Sequence, residues 1–206
     1  MQKERVREFI KDKFVQITVH EKKTFNDNIF KNFVELFDLK KPLRIGSYVS
    51  KENEVCSEQI NNYILEKGSE LFLPKIYENT KQKKIKFFRF FKNDSLTKGK
   101  YNLLEPKSLR KAIKPNYLDF IIIPVRAINK GNKRLGFGGG FYDRSLKNVD
   151  KLKFLSLCFI HERRSIFGIV QRPTDLRIWT SLDKVSQAKP EEKSPLRIVM
   201  SRSHKR

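Results

Sequence analysis

Apolar positions near the start of the chain recur at helical spacing. One series runs from Val6 to Phe14, and a second, stronger series runs from Phe25 to Phe37. Spacing of three to four residues places apolar side chains on one face of a helix. The sequence therefore predicts two amphipathic helices at the start of the protein.

The middle of the chain alternates between strand patterns and a helix pattern. Residues 43–49 and 71–77 predict strands, and residues 57–66 between them predict a helix, which together make a βαβ unit. Further strands are predicted at residues 84–91, 118–125 and 153–160. The run at 118–125 is so continuously apolar that it predicts a central strand buried on both faces. These patterns predict an α/β fold with a mostly parallel sheet flanked by helices.

The chain of 206 residues is long enough for one domain with a sizeable core. From residue 181 onward, lysine, glutamate, serine and proline dominate and apolar residues are few. Such composition is typical of segments that do not pack into a core. We therefore expect one domain over residues 1–180 and a flexible basic tail over 181–206.

The chain is strongly basic, with 45 Lys and Arg against 23 Asp and Glu and a net charge of +22. This charge predicts attraction to polyanions, and residues 84–92 interleave basic and aromatic side chains as single-strand binders do. Non-specific contact with nucleic acid is one interpretation, and solubility is the other. Two cysteines, Cys56 and Cys158, lie outside any C-x-x-C motif, and no signal peptide or membrane span is evident, so we expect a cytoplasmic protein.

Four glycines occupy the five positions 136–140, just beyond the apolar run and before a possible helix start at Phe141. Backbone N–H groups in such a loop can approach a phosphate closely. Asp143 would repel that phosphate unless a divalent cation lay between them, so the segment predicts a nucleotide site with Mg²⁺. The alternative is an ordinary tight turn, with Asp143 complementing the N-terminus of the helix.

The segment from Asp119 to Arg144 resembles the signature of the 5-formyltetrahydrofolate cyclo-ligases, also called methenyltetrahydrofolate synthetases. The matching text is DFIIIP at residues 119–124 and RLGFGGGFYDR at 134–144. Shorter matches follow in the family's order: Lys3 and Arg7, Asn53-Glu54-Val55, Leu73-Pro74-Lys75, and NLLEP at 102–106. The resemblance implies a three-layer α/β fold and an enzyme that uses ATP and Mg²⁺ to convert 5-formyltetrahydrofolate to 5,10-methenyltetrahydrofolate.

The resemblance also implies roles for particular residues. Arg134 and Asp143 would be catalytic, Asp143 would also bind the metal, and Glu54, Phe141 and Tyr142 would contact the folate. The residues implied in ATP binding are Lys3, Arg7, Arg134, Leu135, Gly136, Phe137, Gly138, Gly139, Gly140, Phe141 and Tyr142. ATP and a polyanionic folate would both favour a positively charged cleft.

Other interpretations of these residues stay open. Without the resemblance, Lys3 and Arg7 fit a solvated helix face, and Glu54 fits a cap or surface acid before the predicted helix at 57–66. The sequence also departs from the family where Trp179 occupies the position of a second metal-binding acid. Asp175 could substitute, or Asp143 and the ATP phosphates could suffice. The second functional hypothesis is a non-catalytic descendant that binds folate or RNA.

Overall fold

The computed structural model describes residues 2–37, 39–79, 82–108, 112–128, 134–147, 149, 153–160, 164–170 and 199–200. Its helices are α1 (Gln2–Val15), α2 (Val19–Leu36), α3 (Glu58–Glu66) and α4 (Phe141–Ser145), with short 3-10 turns at Lys100–Asn102 and Pro115–Tyr117. Its strands are β1 (Arg44–Gly46), β2 (Glu70–Asn79), β3 (Gln82–Phe90), β4 (Leu96–Lys98), β5 (Leu104–Pro106), β6 (Ala112–Ile113), β7 (Phe120–Pro124), β8 (Ala127–Ile128), β9 (Arg134–Leu135), β10 (Lys153–Ile160), β11 (Arg164–Val170) and β12 (Val199–Met200).

The two predicted N-terminal helices are confirmed as α1 and α2. The boundary between them is set by Thr18, whose hydroxyl accepts a hydrogen bond from the Glu21 N–H while the Glu21 carboxylate accepts one from the Thr18 N–H. This reciprocal capping box satisfies backbone donors that the first turn of a helix leaves open. It fixes the point at which α2 begins.

Eight strands form the main sheet in the order β12-β11-β10-β7-β1-β2-β3-β6. The central strands β10, β7, β1 and β2 are parallel, and β1, α3 and β2 form the predicted βαβ unit. Antiparallel pairs flank this centre, because the two residues between β2 and β3 and the three between β10 and β11 are too few for a crossover. The α/β fold is confirmed, and its sheet is mixed.

Helices cover both faces of the sheet. Side chains of α2 and α3, including Phe33 and Ile60, pack with Ile122 of β7 on one face. On the other face, Ile121 and Ile123 pack with Leu146 at the end of α4. Strand β7 is therefore buried on both faces, as predicted, and the three layers are confirmed. None of the described helices combines the length and apolar character that crossing a membrane requires.

The chain leaves neighbouring strands β1 and β7 in opposite directions. After β1 it continues to β2 on one side, and after β7 it continues to β10 on the other. Open α/β sheets form a ligand-binding crevice at the carboxyl ends of two such strands. Residues 47–57, which follow β1, and residues 125–128 and 134–140, which follow β7, flank this crevice. The predicted division into residues 1–180 and a flexible tail stays a prediction; within that tail, the described residues form only β12, which pairs with β11.

Candidate active site

The glycine segment returns to the crevice through the small β8–β9 ladder. Ala127 pairs with Leu135, and the Arg126 N–H donates to the Leu135 carbonyl at 2.7 Å. Beyond this ladder, Gly138 has φ +106° and Gly140 has φ +62°. Residues with a Cβ are strained in this region, so both positions favour glycine.

The open part of the loop lies at its first glycines. A Cβ placed on Gly136 would meet nothing within 4 Å, and one on Gly138 would lie 3.7 Å from Cζ of Arg7. A Cβ on Gly139 would instead lie 2.8 Å from the Phe141 ring. The backbone at Gly136 and Gly138 is therefore accessible to a ligand, whereas Gly139 is required by packing within the loop.

Arg7 joins helix α1 to this loop. Its Nε donates to the Gly136 carbonyl at 3.0 Å, and its guanidinium pairs with Glu4 at 2.8 Å. The Arg7 side chain is only 18% exposed, so it is not part of a solvated helix face. Lys3 lies on the same helix and Arg134 lies in β9, but both side chains fall outside the described part of the structure.

Asp143 lies in the first turn of α4, which has only five residues. The carboxylate is half-buried beside the glycine loop. Within the described part of the chain, no group of three His, Cys, Asp or Glu side chains could enclose a metal ion, and Asp175 and Trp179 lie outside it. The oxygen donor of Asp143 suits Mg²⁺, which commonly keeps several waters and binds phosphate oxygens as well.

Phe141 and Tyr101 make an aromatic contact near the loop. Their rings meet edge to face with centroids 5.6 Å apart, and the Lys51 ammonium donates to the Tyr101 carbonyl at 3.0 Å. Tyr101 has φ +59°, a strained conformation for a residue with a side chain. These contacts join the segment after β1 to α4. Phe141 also packs against the core, and its contact with the folate stays a prediction.

Glu54 lies on the other side of the crevice. Its carboxylate accepts a hydrogen bond from the Lys51 N–H at 3.0 Å, so it caps a turn after β1, while Ser57 is the residue that precedes α3. Burial raises the pKa of the Glu54 carboxyl, and the Lys51 hydrogen bond and the charges of Lys51 and Arg126 oppose that rise. Because burial makes the charged form of this carboxylate costly, hydrogen-bond donors from a ligand would stabilise it.

Arg126 lies in the same recess and was not among the residues predicted from the sequence. The recess is lined by Glu54 and Arg126 together with Ile10, Phe14, Asn53, Val55 and Val125. The Arg126 guanidinium lies 4.5 Å above the Phe137 ring, and its buried Nε has no hydrogen-bond partner among the described residues. Burial lowers the pKa of Arg126, with Glu54 opposing and Arg7 adding to that shift. The only sequence signal was a basic residue directly after a buried strand.

Two of the shorter segments that resemble the family, residues 73–75 and 102–106, contact each other beside the site. Lys75 pairs with the buried carboxylate of Glu105 at 3.6 Å, and the same carboxylate accepts from the Ile76 N–H at 2.9 Å. A Cβ on Gly99 would lie 2.3 Å from this carboxyl group. These residues hold β5 against β2, so their contribution is to the fold around the crevice.

The fold and the site together define a class of protein. A glycine loop with two positive-φ residues and partly buried arginines lie at the switch point of an open α/β sheet. This is the arrangement of α/β enzymes that bind phosphorylated ligands at the carboxyl ends of their strands.

Comparison with known proteins identifies the family. The sequence profile of the 5-formyltetrahydrofolate cyclo-ligase family matches residues 1–180, and the chain belongs to this family. It is 21% identical to the 5-formyltetrahydrofolate cyclo-ligase of Haemophilus influenzae, over 87% of this chain and 96% of that protein. Enzymes of this family are ATP-dependent ligases that convert 5-formyltetrahydrofolate to 5,10-methenyltetrahydrofolate.

Two solved structures share the fold. The 5,10-methenyltetrahydrofolate synthetase of Aquifex aeolicus, determined by NMR, superposes with a TM-score of 0.64 at 24% identity, covering 92% of this chain and 100% of that one. The 5,10-methenyltetrahydrofolate synthetase of Mycoplasma pneumoniae gives a TM-score of 0.54 at 23% identity, covering 81% and 84% of the two chains.

Proposed function

We propose that this protein uses ATP and Mg²⁺ to convert 5-formyltetrahydrofolate to 5,10-methenyltetrahydrofolate in the cytoplasm. The observation that carries the proposal is the crevice itself, where Arg7 of α1 holds the open glycine loop and Glu54 lines a recess closed by other residues of α1. One side offers cations and backbone donors for phosphates. The other offers a half-buried carboxylate for a neutral or cationic part of the folate.

The reaction divides into two steps. The formyl oxygen attacks the γ-phosphorus of ATP, the bond to the bridging oxygen breaks, and ADP leaves. The N10 lone pair then attacks the activated carbon, the carbon–oxygen bond breaks, and phosphate leaves while N10 loses its proton. The products are ADP, phosphate and the methenyl compound. Phosphoryl transfer of this kind depends mainly on positioning the reactants and stabilising charge.

Each part of the site has a role in this scheme. Arg7 and the N–H groups of the glycine loop bind the ATP phosphates, assisted by Lys3 and Arg134. Glu54 orients the folate, and Phe141 and Tyr142 form a wall beside it. Asp143 holds Mg²⁺, which neutralises phosphate charge when bound.

The test uses the purified full chain with ATP, Mg²⁺ and 5-formyltetrahydrofolate. Formation of the methenyl product, followed by its absorbance, should match the release of ADP in amount and should cease when any one component is omitted. Product formation without ATP, or a folded protein that yields neither product nor ADP, would contradict the proposal.

A weak contact with nucleic acid is a secondary proposal. Lys84 and Lys86 are exposed on β3, and the Lys86 ammonium lies 4.4 Å above the Tyr77 ring. This surface can attract a phosphate backbone without reading its sequence. Binding to a random single-stranded RNA should weaken steeply with salt, and salt-resistant binding would contradict a purely electrostatic contact.

A further inference from the structure

Arg126 is a partly buried cation at the crevice to which neither the family signature nor the proposed function assigns a role. Its backbone is fixed by the hydrogen bond to Leu135, and its guanidinium lies 4.5 Å above the Phe137 ring. A guanidinium over an aromatic face can still present its planar set of N–H donors to an anion. The buried Nε nevertheless has no hydrogen-bond partner among the described residues. A buried donor in this state is costly unless a bound water or a ligand oxygen supplies the acceptor.

The position of Arg126 lies between the two halves of the proposed site. Arg7 holds the carbonyl of Gly136, and Arg126 stacks on the next residue, Phe137, so two guanidinium groups approach one bend of the loop. Arg126 also lines the recess that contains Glu54. Glu4 pairs with Arg7, and the charge of Glu54 partly offsets the repulsion between Arg7 and Arg126; an anion bound between the two guanidinium groups would stabilise both further. Arg126 is therefore near enough to Arg7 to share an anionic group bound at the loop.

We propose that Arg126 is a further catalytic residue, whose guanidinium contacts the phosphoryl group as it passes from ATP to the formyl oxygen. The inference rests on the proposed function. The planar guanidinium supplies donors to the equatorial phosphoryl oxygens, where charge is concentrated during transfer. Arg126 gives up no proton and forms no covalent bond, so the balance of the reaction is unchanged.

A purely structural Arg126 would behave differently from a catalytic one. If it only packed on Phe137 and balanced the charge of Glu54, its replacement would lower thermal stability and weaken ADP and folate binding together. If it contacts the transferring group, its replacement lowers kcat and leaves the binding of both ground-state substrates nearly unchanged.

The test compares Arg126→Gln and Arg126→Lys in the full chain. We expect Arg126→Gln to lower kcat by about 10²- to 10³-fold with both KM values within about threefold of wild type. Lysine restores the charge without the planar fork, so Arg126→Lys should recover roughly tenfold of that loss. A second readout is binding of ADP with aluminium fluoride in the presence of 5-formyltetrahydrofolate, which should weaken in Arg126→Gln while binding of ADP alone does not.

Arg89→Gln is the matched control. Arg89 also lies over a phenylalanine, 4.7 Å above the Phe91 ring, but it pairs with Glu70 at 2.8 Å near the opposite edge of the sheet. This variant should keep wild-type kcat. Wild-type kcat in Arg126→Gln, or equal losses for ADP and for ADP with aluminium fluoride, would overturn the role of Arg126 alone. If Arg126→Gln does not fold, a folded Arg126→Lys with unchanged kcat overturns it. An inactive wild type would overturn the proposed function and this inference together.

Discussion

Polar side chains at the amino edge and at the carboxyl edge of the central parallel strands differ in how fully they are paired. At the amino edge, the Asp119 carboxylate accepts from the Arg44 N–H at 2.7 Å, and Glu70 pairs with Arg89. At the carboxyl edge, the Arg126 Nε has no hydrogen-bond partner within the described part of the chain, and burial raises the pKa of Glu54. Local pairing stabilises the fold, whereas incomplete pairing leaves groups ready for a ligand. The comparison therefore predicts that a substitution at the amino edge will lower stability, whereas the equivalent substitution at the carboxyl edge will lower turnover.

The largest difference is expected for the aspartates. Asp143→Asn should lower kcat by about 10³-fold or more, because the proposed charged oxygen ligand for Mg²⁺ is lost while the shape of the side chain is kept. Circular dichroism should show an unchanged fold. The control Asp119→Asn should reduce stability by about 1 kcal/mol through its weakened hydrogen bond to Arg44, without loss of kcat. Near-normal turnover in a folded Asp143→Asn would remove Asp143 from the catalytic assignment.

A smaller contrast is expected between two glycines with positive φ. Gly138, at +106°, lies in the loop, and Gly68, at +73°, lies just before β2 at the amino edge; a Cβ on either would meet no atom closer than 3.7 Å. Alanine at either position should cost about 1–3 kcal/mol of stability, seen as a lower Tm. Only Gly138→Ala should also weaken ATP binding, by about 10- to 100-fold, with folate affinity retained. Equal effects of the two variants on ATP affinity, measured by calorimetry, would favour a loop with a structural role only.

The third contrast concerns two glutamates and has a pH signature. Glu54→Gln should raise the KM for the folate by roughly tenfold, corresponding to the loss of a charged hydrogen bond, whereas Glu70→Gln should leave it unchanged. Because burial raises the pKa of Glu54, the folded protein binds this proton more tightly than the unfolded chain does. Wild-type stability therefore falls as the pH rises from the ordinary glutamate pKa through the raised one. Glutamine cannot ionise.

The stability of Glu54→Gln should consequently exceed that of wild type above this pH interval and equal it below. Thermal melts from acidic to neutral pH would measure the difference. A constant difference at all pH values would show that the carboxyl of Glu54 is not desolvated in the folded protein.

The smallest effect is expected from removal of residues 181–206. This segment lies beyond the family match, so kcat should stay within a few-fold of the full chain. Stability should fall slightly, because β12 pairs with β11 at the sheet edge. Loss of ATP binding on truncation would instead place part of this segment at the active site.

Much of the fold follows from patterns within single segments. The continuously apolar run at residues 118–125 predicted β7, and the succession of strand and helix patterns over residues 43–77 predicted the βαβ unit. The sheet is less parallel than expected, because the chain turns back after β2 and β10 within two or three residues. Strand β11, at residues 164–170, was not among the strands predicted from the sequence.

The site was predictable only where one segment carried the information. The glycine-rich sequence at residues 136–140 predicted a loop, and Gly138 and Gly140 have positive φ there. Arg126, Tyr101 and Lys51 were missed because their importance arises from contacts between loops that follow different strands. No periodicity within one segment encodes such an encounter.

The hydrogen bond from Arg7 to Gly136 joins residues 129 positions apart. During synthesis, α1 emerges first, yet the loop that receives its guanidinium comes after β7. Contacts of such high sequence separation slow folding, because a large part of the chain must be ordered before they form. The side of the crevice proposed to bind the nucleotide is thus completed late, and under this proposal the nascent chain passes through most of its assembly before it can bind ATP.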